Sequence, residues 1–169
     1  MLPARLFVPP GRRAVLAAAV AGCLLGAGCH DNGATGVAEP PAVAGTYHVS
    51  GTSPDGTADA PGVSFDGTVT LTQSHGELGG SATLTFAGGA LGGATYVLAG
   101  PVSGFAVTVT GPEPHVVSIG VTDPGDGAVR LILNGIVAPG GDIDGEHVTD
   151  LLVGATAVVD EGAWHATRQ

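Results

Sequence analysis

From Gly45 onward, apolar and polar residues alternate along short stretches of the chain. In residues 63–73, valine, phenylalanine and leucine fall on one face and threonines fall on the other. The same period of two recurs in residues 81–86 and 105–110. Alternation with many β-branched residues is typical of half-buried strands. These segments are therefore predicted to be β-strands with one wet, threonine-rich face.

Six further stretches between glycine- and proline-rich turns also favour strands: 46–51, 94–99, 116–122, 128–137, 143–149 and 163–168. Residues 151–159 lack clear alternation and fit either a strand or a short helical segment. Short strands joined by short turns form a meander, and closure removes its exposed edges. The predicted fold is all-β, a closed or nearly closed antiparallel β-barrel of about eight or nine strands. An immunoglobulin-like β-sandwich is the alternative.

Two glycine-x-aromatic triplets mark the ends of the predicted domain, Gly45-Thr46-Tyr47 in the first strand and Gly162-Ala163-Trp164 in the last. The two aromatic side chains are expected to plug one end of a barrel. The opening triplet resembles the start of lipocalin and avidin-like barrels, which often begin with Gly-x-Trp. The resemblance covers only a few residues, and here the tryptophan stands in the last strand instead. It implies a calycin-like fold alone, with no ligand and no site residues.

The chain before the predicted domain begins with basic residues, continues with an apolar run and ends in small residues. Arg5, Arg12 and Arg13 precede an uncharged run over residues 14–25, and Gly26-Ala27-Gly28-Cys29 follows. This is the order of a secretory signal, and the run is short for a membrane-spanning helix, which needs about 20 residues. Residues 1–28 are therefore predicted to be a signal peptide. The arginine pair is also compatible with twin-arginine export.

The segment from Leu24 to Cys29, LLGAGC, resembles the lipobox of bacterial lipoproteins. The resemblance implies cleavage before Cys29 and attachment of lipid, palmitate included, to the new N-terminal cysteine. Cys23, preceded by Val-Ala-Gly, is the alternative lipidation site. Cys29 is preferred because cleavage at Cys23 would shorten the apolar run and leave two leucines exposed. An ordinary cleaved signal without lipid also remains open.

The residue after Cys29 is His30 and not aspartate, the inner-membrane retention signal in enterobacterial lipoproteins. The resemblance thus favours the outer membrane, with the protein facing the periplasm or the cell surface. Residues 29–43, rich in glycine, alanine and proline, are predicted to be a lipidated flexible tether. Residues 44–169 are predicted to form the barrel domain.

The predicted mature chain is strongly acidic. Two arginines against fifteen acidic residues give residues 30–169 a net charge of −13, and the chain has no lysine. Nucleic acid is excluded as a partner because its binding needs Lys and Arg to displace counterions. An anionic membrane would repel this domain, so the lipid must hold it at the bilayer. No cysteine follows Cys29, so the domain has no internal disulfide.

No motif predicts catalysis. The chain has no Gly-x-Ser-x-Gly nucleophile elbow, and no catalytic residue or cofactor is expected. The weak candidates for a metal site are Asp142, Asp144, Glu146 and His147. In an extended segment the three carboxylates share a face, yet the spacing is not that of a calcium loop, so a solvated strand face is preferred. His48 and His165 can meet on the outside of a closed barrel, where no metal is expected.

The predicted function is that of a membrane-anchored exported lipoprotein whose β domain is a non-catalytic binding or interaction module of the cell envelope. Its partner would be an apolar small ligand in the barrel or an envelope protein at the rim. A structural surface protein with a solid core is the alternative, and a hydrolase using two of the many carboxylates is a remote one. An interior cavity of roughly several hundred Å³ would favour ligand binding. A filled interior would favour the structural protein.

Overall fold

The computed structural model describes residues 39–53, 62–109, 115–153 and 156–169. The predicted signal peptide, Cys23 and Cys29 lie outside the described residues. The strands, in chain order, are β1 (Gly45–Thr52), β2 (Val63–Ser74), β3 (Glu77–Gly88), β4 (Tyr96–Thr108), β5 (His115–Thr122), β6 (Val129–Val137), β7 (Ile143–Val153) and β8 (Thr156–Arg168). One 3₁₀ turn, Gly89–Leu91, precedes β4. Within the described ranges, no helix is both long enough and apolar enough to cross a membrane.

The eight strands form a closed barrel in which each strand pairs antiparallel with the next along the chain. Closure is made by β1 and β8, which pair from Tyr47 opposite Arg168 to Thr52 opposite Ala163. The predicted antiparallel meander barrel is therefore confirmed, and the alternative of an immunoglobulin-like sandwich is wrong. Closure pairs the first strand with the last, so neither is left as an open edge.

The segments predicted as separate strands at 94–99 and 105–110 belong to one strand, β4. The sequence suggests a break because Gly100-Pro101 reads as a turn. Pro101 pairs with Ser81 of β3, whereas pairing of β4 with β5 begins only at Val102. Pro101 therefore sits at a local edge, where a missing backbone N–H is tolerated.

Residues 151–159 contain the end of β7 and the start of β8. The two strands pair in register down to Val153 opposite Thr156. The helical alternative for this segment is wrong. Alternation is hard to see in this stretch because it contains the ends of two different strands.

Alternate side chains of every strand fill the barrel with valine, leucine, isoleucine and aromatic residues. Phe65 and Phe86 pack together with ring centroids 5.3 Å apart. Gly51, opposite Phe65 in the β1–β2 ladder, makes room for this pair, because a Cβ there would overlap the Phe65 ring. Trp164 is also buried, and its indole Nε1 donates to the backbone oxygen of Asn134 at 2.9 Å.

One end of the barrel is closed by residues 39–44, a segment that we call the strap. The side chain of Gln73 holds it, with Oε1 accepting from the Val43 N–H at 2.8 Å and Nε2 donating to the Pro41 oxygen at 2.8 Å. The Tyr47 hydroxyl donates to the Val43 oxygen at 3.0 Å. Val43 is completely buried. The last residues of the predicted 29–43 tether thus pack as part of the barrel.

The two ends of the barrel can now be distinguished. The strap end carries the strap, the turn between β2 and β3 and the C-terminus. The far end carries the turn between β5 and β6, the 3₁₀ turn before β4 and the residues that flank the β1–β2 connection, Ser53 and Gly62. Tyr47 lies at the strap end, as expected for an aromatic plug, while Trp164 lies deeper, opposite Gly51.

Candidate functional site

The interior of the barrel is nearly filled. A cavity of about 10 Å³, measured as space open to the centre of a water molecule, lies among apolar side chains. Its lining residues are Tyr47, Val49, Val69, Leu71, Ile119, Leu133, Ile143, Trp164 and Ala166. A single water needs about this volume, whereas sites for small ligands occupy roughly 300–1,000 Å³. This cavity therefore has no room for an apolar ligand.

The main polar group inside the described barrel is His147 of β7, with only 1% of its surface exposed. Its ring meets Phe65 edge to face, with centroids 4.9 Å apart. Its Nδ1 lies 3.2 Å from the hydroxyl of Thr149, which is also buried. The core thus holds an imidazole with one hydrogen-bonded nitrogen.

The other ring nitrogen of His147, Nε2, has no hydrogen-bond partner among the described residues. It lies beside Gly162 of β8, where a Cβ would come within 2.7 Å of it and would also overlap the Thr52 backbone oxygen. Burial lowers the pKa of His147, while the Thr52 backbone and the Asp160 carboxylate partly oppose this effect. The arrangement therefore favours the neutral imidazole.

Asp160 of β8 links the chain on both sides of the β1–β2 connection. Its Oδ1 accepts from the Ser53 hydroxyl at 2.6 Å and from the Glu161 N–H at 2.9 Å. Its Oδ2 accepts from the Val63 N–H at 2.9 Å. Charge-assisted hydrogen bonds of this kind are stronger than neutral ones. Asp160 thus fastens both β1 and β2 to β8 at the far end.

Serine, histidine and aspartate therefore occur together at the far end, so their order of hydrogen bonding matters. In a catalytic triad the histidine accepts from the serine and donates to the carboxylate. Here Ser53 donates directly to Asp160, and His147 bonds to Thr149. The observed bonds thus join the serine to the carboxylate without the histidine between them.

The four weak metal candidates of the sequence do not share one face. Asp144 and Glu146 are exposed on the outside of the barrel, whereas His147 is buried inside. Asp142 lies before the strand, and its Oδ1 accepts from the Arg168 N–H at 3.2 Å. The expected common face holds for Asp144 and Glu146, but His147 cannot join them. His147 occupies the same alternate positions along β7 as the buried apolar residues, and this spacing in the sequence could have predicted its burial.

His48 and His165 lie on the outer surface of neighbouring strands, two register positions apart. Each faces a carboxylate on the strand to its other side. His48 Nε2 is 3.2 Å from Asp66, and His165 Nδ1 is 2.7 Å from Asp144. Within the described part of the chain, no group of three or more His, Cys, Asp or Glu side chains could hold a metal ion.

A second outer surface is apolar and lies on β4, β5 and β6 near the strap end. It consists of Phe105, Val107, Val109, Val116 and Ile136, which we call the apolar patch. In the strand register Val107 faces Val116, and Val116 faces Ile136, so these three form a continuous row. Phe105, Val107, Val109 and Ile136 are each between 37% and 43% exposed. Contiguous exposed apolar surface of this kind is typical of an interaction site.

Polar residues border the apolar patch on both sides. Glu77 of β3 faces Phe105, and Asp144 of β7 faces Ile136. Beyond Asp144, the outer surface passes to the His165 and His48 pairs described above. Near the strap end, the outside of the barrel therefore has an apolar side on β4, β5 and β6 and an acidic, histidine-bearing side on β7, β8 and β1.

No family model, curated protein or solved structure matches this chain. The sequence reasoning did not single out Ser53 or Asp160, and no local motif marks them, because the strand register alone brings them together. It also named no residue of the apolar patch as a site, although residues 105–110 were placed on a strand.

Proposed function

We propose that this protein is an exported lipoprotein of the bacterial cell envelope, anchored through Cys29, whose barrel is a non-catalytic interaction module that acts through its outer surface. The observation that carries the anchoring is the order of the N-terminal sequence, basic, apolar, small and then cysteine. The barrel begins soon afterwards, with the strap at Glu39. This arrangement would keep the domain close to the membrane.

The filled interior supports action through the outer surface. With a cavity of about 10 Å³, the barrel lacks the space that an enclosed apolar ligand needs. The apolar patch, in contrast, exposes several large side chains within one continuous surface. An envelope protein or a membrane would gain by covering them, because burial of apolar surface stabilises a contact.

Metabolic labelling with a fatty-acid analogue tests the anchor. The intact chain should incorporate the label and fractionate with membranes. The variant Cys29→Ser should lose both properties, and Cys23→Ser serves as the matched control that keeps them. Label that persists in Cys29→Ser and disappears in Cys23→Ser would assign the lipid to Cys23. An unlabelled, uncleaved chain would contradict the anchored protein altogether.

A structural surface protein is the second candidate, and the filled barrel interior favours it. Such a protein needs no specific partner, whereas an interaction module does. Crosslinking in intact cells distinguishes the structural protein from the interaction module. One variant carries a photoreactive residue at position 107 in the apolar patch, and the control carries it at position 83, an exposed threonine of β3. Discrete crosslinks from position 107 alone, whether to a protein or to lipid, support the interaction module. An equal, diffuse pattern from both positions supports the structural protein.

A further inference from the structure

The chain enters the barrel beside the apolar patch. The Thr108 hydroxyl at the end of β4 donates to the Glu39 backbone oxygen at 2.7 Å. The neighbours of Thr108 in the chain are Val107 and Val109, which both belong to the patch. The first described residue of the strap is therefore fixed next to the exposed apolar side chains, and not on the opposite side of the barrel.

The distance to the proposed anchor is short. Cys29 and Glu39 are ten positions apart in the chain, and a chain of that length spans at most about 35 Å when fully extended. The strap end must therefore stay within that distance of the bilayer surface, and a less extended segment brings it closer. The far end lies at the opposite ends of the strands, so the strap end is the end of the barrel that is tethered to the membrane.

The chemistry of the patch fits a lipid surface. Its five side chains are uncharged and apolar, and the row from Val107 to Ile136 crosses three strands at spacings of about 4.8 Å. The carboxylates of Glu77 and Asp144 border it, and Glu39 is also exposed nearby. Anionic lipids would repel these groups, so zwitterionic lipid suits this surface best.

We propose that the apolar patch rests on the bilayer that holds the lipid anchor, so that β4, β5 and β6 face the membrane and the acidic side faces away. This inference rests on the proposed function. The acyl chains supply the affinity and the patch supplies the orientation. The domain would then present the His48 and His165 pairs, on the opposite strands, to the surrounding compartment.

Single cysteines with an environment-sensitive fluorophore test this orientation in the full lipidated protein, since no thiol beyond Cys29 exists in the natural chain. The test position is Val107→Cys. Val159→Cys, 65% exposed at the far end, controls for the end of the barrel. Thr167→Cys, exposed near the strap end on β8, controls for the face. Each protein is placed in vesicles of zwitterionic phospholipid, with and without lipids spin-labelled near the headgroup.

We expect the fluorophore at position 107 to shift its emission to shorter wavelength and to lose intensity with the spin-labelled lipids, while those at 159 and 167 change little. Equal quenching at 107 and 167 would overturn the orientation. So would an unquenched fluorophore at 107 on protein that floats with the vesicles, although the anchor would then stand. Crosslinking between two copies at position 107, without quenching, would show that a second chain covers the patch. Failure to float would instead contradict the anchor itself.

Discussion

The two ends of the barrel are closed by different means. At the strap end, backbone groups of the strap find partners in Gln73, Tyr47 and Thr108, and Val43 fills the space beneath them. At the far end, the Asp160 carboxylate joins the chain at Ser53 and Val63 to β8, and the buried His147 lies beside Gly162 of the same strand. The backbone hydrogen bonds of the strap are independent of protonation, whereas the far end contains a buried imidazole whose pKa is lowered by burial.

The largest loss of stability should follow from removing a buried aromatic ring in the far half of the barrel. Phe65→Ala takes away the ring that contacts both Phe86 and His147. The free energy of unfolding, measured by urea denaturation, should fall by about 3–5 kcal/mol because a buried cavity is left behind. Phe105→Ala is the matched control, since that ring is 39% exposed on the apolar patch. It should change stability by less than about 0.5 kcal/mol. Equal losses in the two variants would contradict the packing described here.

The carboxylate at the far end should give the next largest effect. Asp160→Ala removes the acceptor for the Ser53 hydroxyl and the Val63 N–H. The expected loss is about 1.5–3 kcal/mol, typical of hydrogen bonds to a charged group. Hydrogen exchange at the Val63 amide should become faster in the same variant. Asp150→Ala, exposed on the neighbouring strand, is the control. Unchanged exchange at Val63 would show that Asp160 does not fasten β2.

The sequence predicts the barrel well because alternation reports directly on which side of a strand faces the core. The boundaries of β1, β2, β5 and β6 follow from it within a few residues. Gly100-Pro101 misleads because a glycine-proline pair is equally suited to a turn and to this stretch of β4, which pairs with β3 but not with β5. Residues 151–159 stay ambiguous because one stretch contains the ends of two strands.

The polar cluster at the far end is less accessible to sequence reasoning. Asp160 and Ser53 are 107 residues apart, and only barrel closure brings β8 beside β1. His147 is a partial exception, since its phase along β7 matches Ile143 and Leu151, both buried. The acidic residues next to His147 in the sequence instead suggest that it lies on the outer face of the barrel. The apolar patch likewise depends on register across three strands, which no single strand reveals.

Acidification should weaken the far end through His147. Burial lowers its pKa in the folded protein, so the unfolded chain binds a proton at a higher pH than the folded chain does. The stability that the neutral ring contributes is complete above its ordinary value of about 6.5 and is lost as the pH falls through the lowered value. Urea midpoints measured as a function of pH should decline over this range.

The variant His147→Gln should flatten that decline, whereas His75→Gln, exposed at a turn of the strap end, should leave it unchanged. The comparison is needed because the acidic domain has other groups that titrate at low pH. A decline that persists unchanged in His147→Gln would assign the pH dependence to the carboxylates and would remove this contrast between the two ends.

The smallest effects come from two tyrosine hydroxyls, one at each end. Tyr47→Phe leaves the buried Val43 oxygen without its donor, and we expect a loss of about 0.5–1.5 kcal/mol. Tyr96→Phe at the far end should cost less. The Tyr96 hydroxyl donates to Asp123 at 2.8 Å, but that carboxylate also accepts from the Gly125 N–H at 2.8 Å and is open to water.

The pKa of Asp123 should distinguish the Tyr96→Phe and Tyr47→Phe variants more clearly than their stabilities do. The Gly125 N–H and then the Tyr96 hydroxyl hold the pKa of Asp123 below its ordinary value. In Tyr96→Phe, NMR titration should therefore find this pKa raised towards the ordinary value, while Tyr47→Phe should leave it unmoved. If Tyr96→Phe leaves it unmoved as well, the hydroxyl does not bind the carboxylate in solution. The 2.8 Å contact would then not contribute to closing the far end, and the contrast between the ends would rest on His147 and Asp160 alone.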